Sequence, residues 1–157
     1  MQSLEFGSRL FKVNIMIRGL KKEDWEIFMG WMYELASLSF DKVVPKMLEE
    51  KIKSDYEREP SGFVVSDVNG EVNGVLWFST IKEKKSVFIH AIYVKQEYRS
   101  RGVSDSLIKY LEEYCKREGL DTIEGNVTTN LTQAIKFYEK QGFKIKRYLM
   151  VKKLNFD

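Results

Sequence analysis

The chain has 157 residues, 31% of them charged and 43% hydrophobic, which suits one folded domain and excludes a disordered chain. Its 26 Lys and Arg stand against 23 Asp and Glu, a balance that argues against nucleic acid as the main partner. A single cysteine, Cys115, excludes an intrachain disulfide and a cysteine-rich metal site.

No apolar run approaches the roughly 20 residues that span a bilayer, and the N-terminus lacks the apolar core of a secretory signal. A single cytoplasmic domain over residues 1–157 is therefore expected, with no membrane partner.

Residues 12–18 alternate around Val13, Ile15 and Ile17 and predict a strand. Over residues 22–38, Trp25, Phe28, Met29, Met32 and Leu35 recur at helical spacing. After a break, Pro45 suits the first turn of a second helix, continued by Leu48, Ile52 and Tyr56. A strand over 63–68 follows. Asn69-Gly70 then predicts a tight hairpin, because both central residues of a type I′ turn need positive φ. The return strand spans 71–81, residues 82–85 form a polar turn, and 86–94 make a further strand. Residues 102–118 form an amphipathic helix, with Val103, Leu107, Leu111, Tyr114 and Cys115 on one face and Gly119 at its end. A short strand over 121–127, a helix over 132–141 and a long final strand or hairpin over 143–154 complete the chain. The order β-α-α-β-β-β-α-β-α-β predicts an α+β domain, a mixed and mostly antiparallel sheet with helices on both faces.

The stretch from Ile92 to Ser104 carries the chemistry. A strand ends, a short loop follows, and a helix opens at Gly102. The first amides of a helix lack intrahelical partners and sit at the positive end of the macrodipole, so such an end binds phosphate. Gly102 permits close approach of an anion, and Arg99 and Arg101 add charged donors. Read locally, the same stretch is equally a capped helix with two solvated arginines.

The wider pattern resembles the GNAT superfamily of acyl-CoA-dependent N-acyltransferases. Their pyrophosphate motif, Gln/Arg-x-x-Gly-x-Gly/Ala, follows a strand that often ends Leu-x-Val. Here Ile92-x-Val94 precedes Arg99-x-x-Gly102-x-Ser104, with serine in the last glycine's place. A second family motif, an asparagine and an alanine leading into Tyr-Glu-Lys-x-Gly-Phe, is matched by the run from Ala134 through Tyr138 to Phe143. Asn130 stands one position before the family's asparagine, whose place is taken by Leu131.

The resemblance implies acetyl transfer from acetyl-CoA to a primary amine of a small molecule or peptide. It also leaves open a protein N-terminal or lysine acetyltransferase and a silent acyl-CoA sensor. It implies a pantetheine arm between the strands ending at Val94 and near Val127, paired with backbone groups around Ile92, Tyr93 and Val94. The pyrophosphate would lie on Arg99, Ser100, Arg101, Gly102, Val103 and Ser104, with Asn130 nearby. Ile92 would offer its amide to the carbonyl oxygen, and Tyr138 would act as acid at the sulfur. His90, the single histidine, lies four residues before Val94 and has an ordinary pKa of roughly 6.5, suited to a base; the alternative is a buried strand histidine.

Trp25, Phe28, Trp31 and Met32 read as core, and Cys115 as a core thiol. Tyr33, Glu34, Ser39, Phe40 and Asp41 flank the helix break and are acceptor-side candidates. Residues 82–85 read as solvated surface, or as a contact for the cofactor's 3′-phosphate. The final strand offers an edge to a second chain, so a homodimer is an expected partner.

Overall fold

A computed structural model describes residues 2–6, 9–13 and 15–156, with side chains from Ile15 to Phe156. Strands β1 (Gln2–Phe6) and β2 (Arg9–Val13) pair antiparallel in a small sheet of their own, and β3 (Ile15–Gly19) opens a five-stranded sheet. The strand expected over 12–18 is thus divided between two sheets at Asn14, which lies outside the described residues.

Helix α1 (Trp25–Leu38) follows a 3-10 turn, and α2 (Pro45–Arg58) begins at Pro45, whose missing N–H costs nothing in a first turn. Strands β4 (Phe63–Val68) and β5 (Glu71–Ile81) form the expected hairpin, with φ of 54° at Asn69 and 86° at Gly70. The Gly70 N–H also donates to Asp67 Oδ1 at 2.7 Å. Then come β6 (Ser86–Val94), α3 (Val103–Glu118), β7 (Thr122–Gly125) and α4 (Thr132–Lys140). The large sheet is ordered β3-β4-β5-β6-β7, antiparallel throughout except for the parallel β6–β7 pair.

Alternation along the strands feeds two cores. On one face Val65, Val75, Trp77 and Tyr93 pack with Phe28, Trp31 and Ile52 from α1 and α2. On the other, Val64, Leu76, Phe78 and Ile89 pack with Leu107, Ile108, Leu111 and Cys115 from α3. This is the expected mixed sheet with helices on both faces. Among the described residues, no helix is long and apolar enough to cross a membrane.

The strand expected over 143–154 does not form. Residues 144–156 carry no regular structure and all are exposed. A strand exists only beside a hydrogen-bonded neighbour, and no edge of the described sheets pairs with this segment.

Candidate active site

The site starts from a fault in the ladder. β5 and β6 pair from Gly74↔Val94 to Trp77↔Ala91, and again from Phe78↔Ile89 to Ile81↔Ser86. His90 falls between the two runs as the extra residue of a β-bulge. The bulge turns two successive residues to one face: His90 stacks on Trp77 at 4.5 Å, and Ala91 packs in the same α1/α2 cluster. Ile92 and Val94 then join the opposite, α3-side cluster.

On its other edge β6 pairs with β7 only from Ser86↔Thr122 to Ile89↔Gly125. A side chain on Gly125 would bring a Cβ within 3.3 Å of the Ile89 carbonyl, so glycine allows this last close pair. Beyond it the ladder ends, and among the described residues no strand pairs with the β7-facing edge of β6 from His90 to Val94. The result is a slit lined with backbone donors and acceptors, opening toward the C-terminal end of β6.

The start of α3 stands at the mouth of that slit. Gly102 holds φ at 88° and Ser100 at 61°, both in the left-handed region, and this turns the loop into the helix. By helix geometry the amides of Val103, Ser104 and Asp105 lack intrahelical acceptors. Gly74 lets the helix sit close: a Cβ there would lie 3.0 Å from Val103 Cγ1 and 3.3 Å from the Tyr93 carbonyl. Arg99 Nε donates to the Val94 carbonyl at 2.8 Å, and its guanidinium lies 5.3 Å over the Tyr93 ring. Arg99 thus pins the loop to the end of β6. Ile92, Tyr93, Val94, Arg99, Ser100, Arg101, Gly102, Val103 and Ser104 therefore meet at one place.

Two further candidates have partners within the fold. Asn130 Nδ2 donates to the Leu38 carbonyl at 2.9 Å, so this side chain ties the loop after β7 to the end of α1. Lys82–Lys84 form a 3-10 turn before β6, and Lys84 pairs with Glu124 at 2.8 Å. At about 3.3 Å per residue, that end of β6 lies about 26 Å from Val94.

His90 belongs to a network the sequence did not announce. Its Nε2 lies 2.7 Å from Ser79 Oγ and 3.7 Å from Asp55 Oδ2. Asp55 is buried and also binds Lys51 at 3.2 Å and Arg58 at 2.9 Å. Serine and aspartate address the same ring nitrogen, so this is not a nucleophilic triad, in which they address opposite nitrogens. Burial pushes the His90 pKa down to about 4, and Lys51 and Arg58 push the same way against Asp55. The imidazole is neutral at pH 7, and the ordinary value near 6.5 does not hold here.

Tyr138, on α4, packs into the α3-side cluster between Phe137 at 5.4 Å and Phe143 at 5.1 Å. Burial pushes its phenol up to about 12. On the α1 side, Tyr93 stacks on Trp31 at 4.8 Å and donates to Glu34 Oε2 at 2.6 Å. Desolvation first, and Glu34 second, raise the Tyr93 pKa. Tyr33 donates to Glu49, and Ser39 Oγ accepts from the Asp41 N–H at 3.1 Å. Phe40 is 63% exposed. Trp31 and Met32 are core, as is Cys115, whose thiol is raised by burial. Two surface hollows of about 310 and 290 Å³, one beside Ile17 and Tyr110 and one beside Trp25 and Tyr56, do not touch the slit.

The model of the Acetyltransferase (GNAT) family matches residues 29–143. The chain belongs to the GNAT family. An uncharacterised N-acetyltransferase of Methanocaldococcus jannaschii is 33% identical over 83% of the chain, and the chain spans 61% of that relative's length. A GNAT acetyltransferase of Staphylococcus aureus Mu50 superposes with a TM-score of 0.71 at 19% identity, over 85% of this chain and 87% of that one. The PaiA N-acetyltransferase of Thermoplasma acidophilum, solved in complex with coenzyme A, gives a TM-score of 0.69 at 21% identity, over 85% and 91%. These two likenesses show that the GNAT fold is shared.

Proposed function

We propose that this GNAT domain transfers an acetyl group from acetyl-CoA to a primary amine of a small molecule or peptide. The observation that carries the reading is the slit between β6 and β7, open from His90 to Val94 and ending at the α3 amides. A pantetheine arm is a flat chain with two amides, and an unpaired strand edge offers it the alternating donors and acceptors of a missing strand. The amides of Val103 and Ser104 then hold the pyrophosphate with the Nη groups of Arg99, and Gly102 keeps a side chain out of the way.

Acetyl-CoA supplies the activated thioester, and the chain's residues manage charge and protons around it. The Ile92 N–H donates to the thioester oxygen as it gains negative charge. Attack by the neutral amine forms the C–N bond and leaves a strongly acidic nitrogen. His90, neutral at pH 7, takes that proton directly or through Ser79. The C–S bond breaks, and Tyr138 hydrogen-bonds the departing sulfur. A phenol near 12 is a weaker acid than a thiol near 8.5, so full proton transfer costs about 5 kcal/mol; Tyr138 therefore acts as a donor to a thiolate.

His90 faces the α1/α2 layer and Tyr138 the α3 layer. Base and donor therefore lie on opposite faces of the sheet, which fits an amine arriving from one side and CoA leaving on the other. On the amine side, Glu34 and Asp41 are exposed carboxylates that favour a cationic acceptor, with Tyr33, Ser39 and Phe40 beside them. The test is CoA release against polyamines, amino acids, aminoglycosides and short peptides. Turnover with one class supports the reading. Tight acetyl-CoA binding with no turnover against any amine makes the chain a sensor instead.

A further inference from the structure

The hollow of about 290 Å³ beside Trp25 and Tyr56 lies where the N-terminal end of α1 meets the C-terminal half of α2. Its floor is aromatic, with the two rings edge to face at 5.5 Å. Trp25 packs on Phe28 at 6.0 Å and Tyr56 on Phe63 at 5.3 Å, so the core holds this floor in place before anything binds. Both rings are half-buried, and among the described residues no cation lies over either of them. The walls are basic. Lys21, Lys22 and Lys53 line the hollow, with Glu57 as the carboxylate among its lining residues. Lys22 and Lys53 are exposed, and among the described residues neither ammonium reaches a carboxylate within ion-pair distance. The Lys21 N–H donates to Asp24 Oδ2 at 2.8 Å, which fixes the turn, and Asp24 is itself bridged by Arg18 at 2.7 Å. α1 has 14 residues, so its other end, at Leu38, lies about 20 Å away.

We propose that this hollow binds a nucleoside monophosphate, with the base on Trp25 and Tyr56 and the phosphate among Lys21, Lys22 and Lys53. Three lysines against one glutamate match a phosphate monoester, whose charge at pH 7 is about −1.5 to −2. A carboxylate ligand would call for the planar fork of an arginine, and no arginine lines the hollow. Aromatic rings favour a flat partner, which a nucleobase supplies and a free phosphate does not. At about 290 Å³ the hollow stands at the small end of ligand sites, which suits a mononucleotide rather than a dinucleotide. The hollow does not touch the slit, so the chain can hold the nucleotide and CoA at once. The proposal does not depend on the acetyl-transfer reading, because its test measures nucleotide binding.

The full chain, saturated with CoA so that the slit is filled, should take up one AMP or GMP per chain at submillimolar concentration by calorimetry. Tryptophan fluorescence should be quenched at the same time. Adenosine and inorganic phosphate should each bind at least about tenfold more weakly, since each makes only part of the contacts. Lys22→Glu and Lys53→Glu reverse exposed charges away from the slit, so circular dichroism and CoA affinity should match the native chain. AMP affinity should fall by roughly tenfold in each. Trp25→Phe keeps a ring in the floor, so AMP should still bind while the quenching is lost. No saturable uptake up to about 10 mM overturns the proposal, as does AMP binding that both lysine variants leave unchanged. AMP that binds only when CoA is left out belongs to the slit and overturns it too. Inorganic phosphate that binds as tightly as AMP overturns it by removing the role of the rings.

Discussion

The Tyr93 hydroxyl donates to Glu34 Oε2 at 2.6 Å, across 59 residues of sequence. The bond ties the end of β6, where the slit opens, to the α1 surface that we propose receives the amine. Arg99 lies over the same ring, so the loop before α3, the end of β6 and the α1 surface share one aromatic anchor. Tyr93→Phe keeps the stack on Trp31 and frees Glu34. The KM for a cationic amine should change by roughly tenfold, since a hydrogen bond to a charged group is worth about 1.5–3 kcal/mol and Glu34 is exposed. Affinity for CoA should stay near the native value. Steady-state kinetics beside calorimetric titration separates the two, and an unchanged KM would leave Tyr93 as a packing residue.

Gly102 sits at φ 88°, so Gly102→Val strains the backbone and puts a branched side chain where the pyrophosphate would rest. CoA affinity should fall by more than tenfold, beyond what any lowered melting temperature explains. Arg99→Ala should cost about 1–3 kcal/mol of CoA binding. Calorimetry on both variants decides, and two native affinities would remove the anion site from the start of α3.

Tyr138→Phe keeps the ring between Phe137 and Phe143 and removes only the donor. Because burial holds the phenol near 12, the loss is that of a hydrogen bond to a thiolate rather than of an efficient acid. The chemical step should slow by roughly 10²-fold, the low end for a positioned proton donor. Single-turnover measurement is needed so that product release does not mask the change. Native single-turnover rates would confine Tyr138 to packing.

His90 makes a prediction about pH and stability. Its folded pKa of about 4 lies below the unfolded value near 6.5, so between those limits the unfolded chain binds more protons. Stability should rise with pH through that window, by about 3 kcal/mol from this group alone. His90→Gln should flatten that rise relative to the native chain, read from denaturant midpoints at pH 4 to 7. The native rate profile should show no limb near pH 6.5 and should climb with deprotonation of the amine, whose ordinary pKa is roughly 10.4. His90→Gln should slow the reaction at pH 7 and recover part of the rate at high pH. An unchanged profile would make His90 a strand residue held by Ser79.

Much of the fold was legible in local sequence because its signals are local. Asn69-Gly70 set a hairpin whose strands end where the pattern ends, and Pro45, Gly102 and Gly119 set helix ends through φ and missing donors alone. The strand end, loop and helix start proposed to hold the anion were legible too, since they are consecutive in the chain. Contacts between distant segments were not. The partners of His90 come from α2 and β5, and no spacing rule links Asp55, Ser79 and His90. The β-bulge that turns His90 toward them is a property of two strands in register, invisible in either alone. Asn130 carried a motif-like position, yet its amide is spent on Leu38 across the fold. The run 143–154 has the composition of a strand, but composition supplies only one side of a ladder. Sequence determined what each segment could become, through backbone propensity and side-chain period. Tertiary structure decided which groups meet, because burial, pKa and hydrogen bonding at the site depend on neighbours that the chain brings from far away.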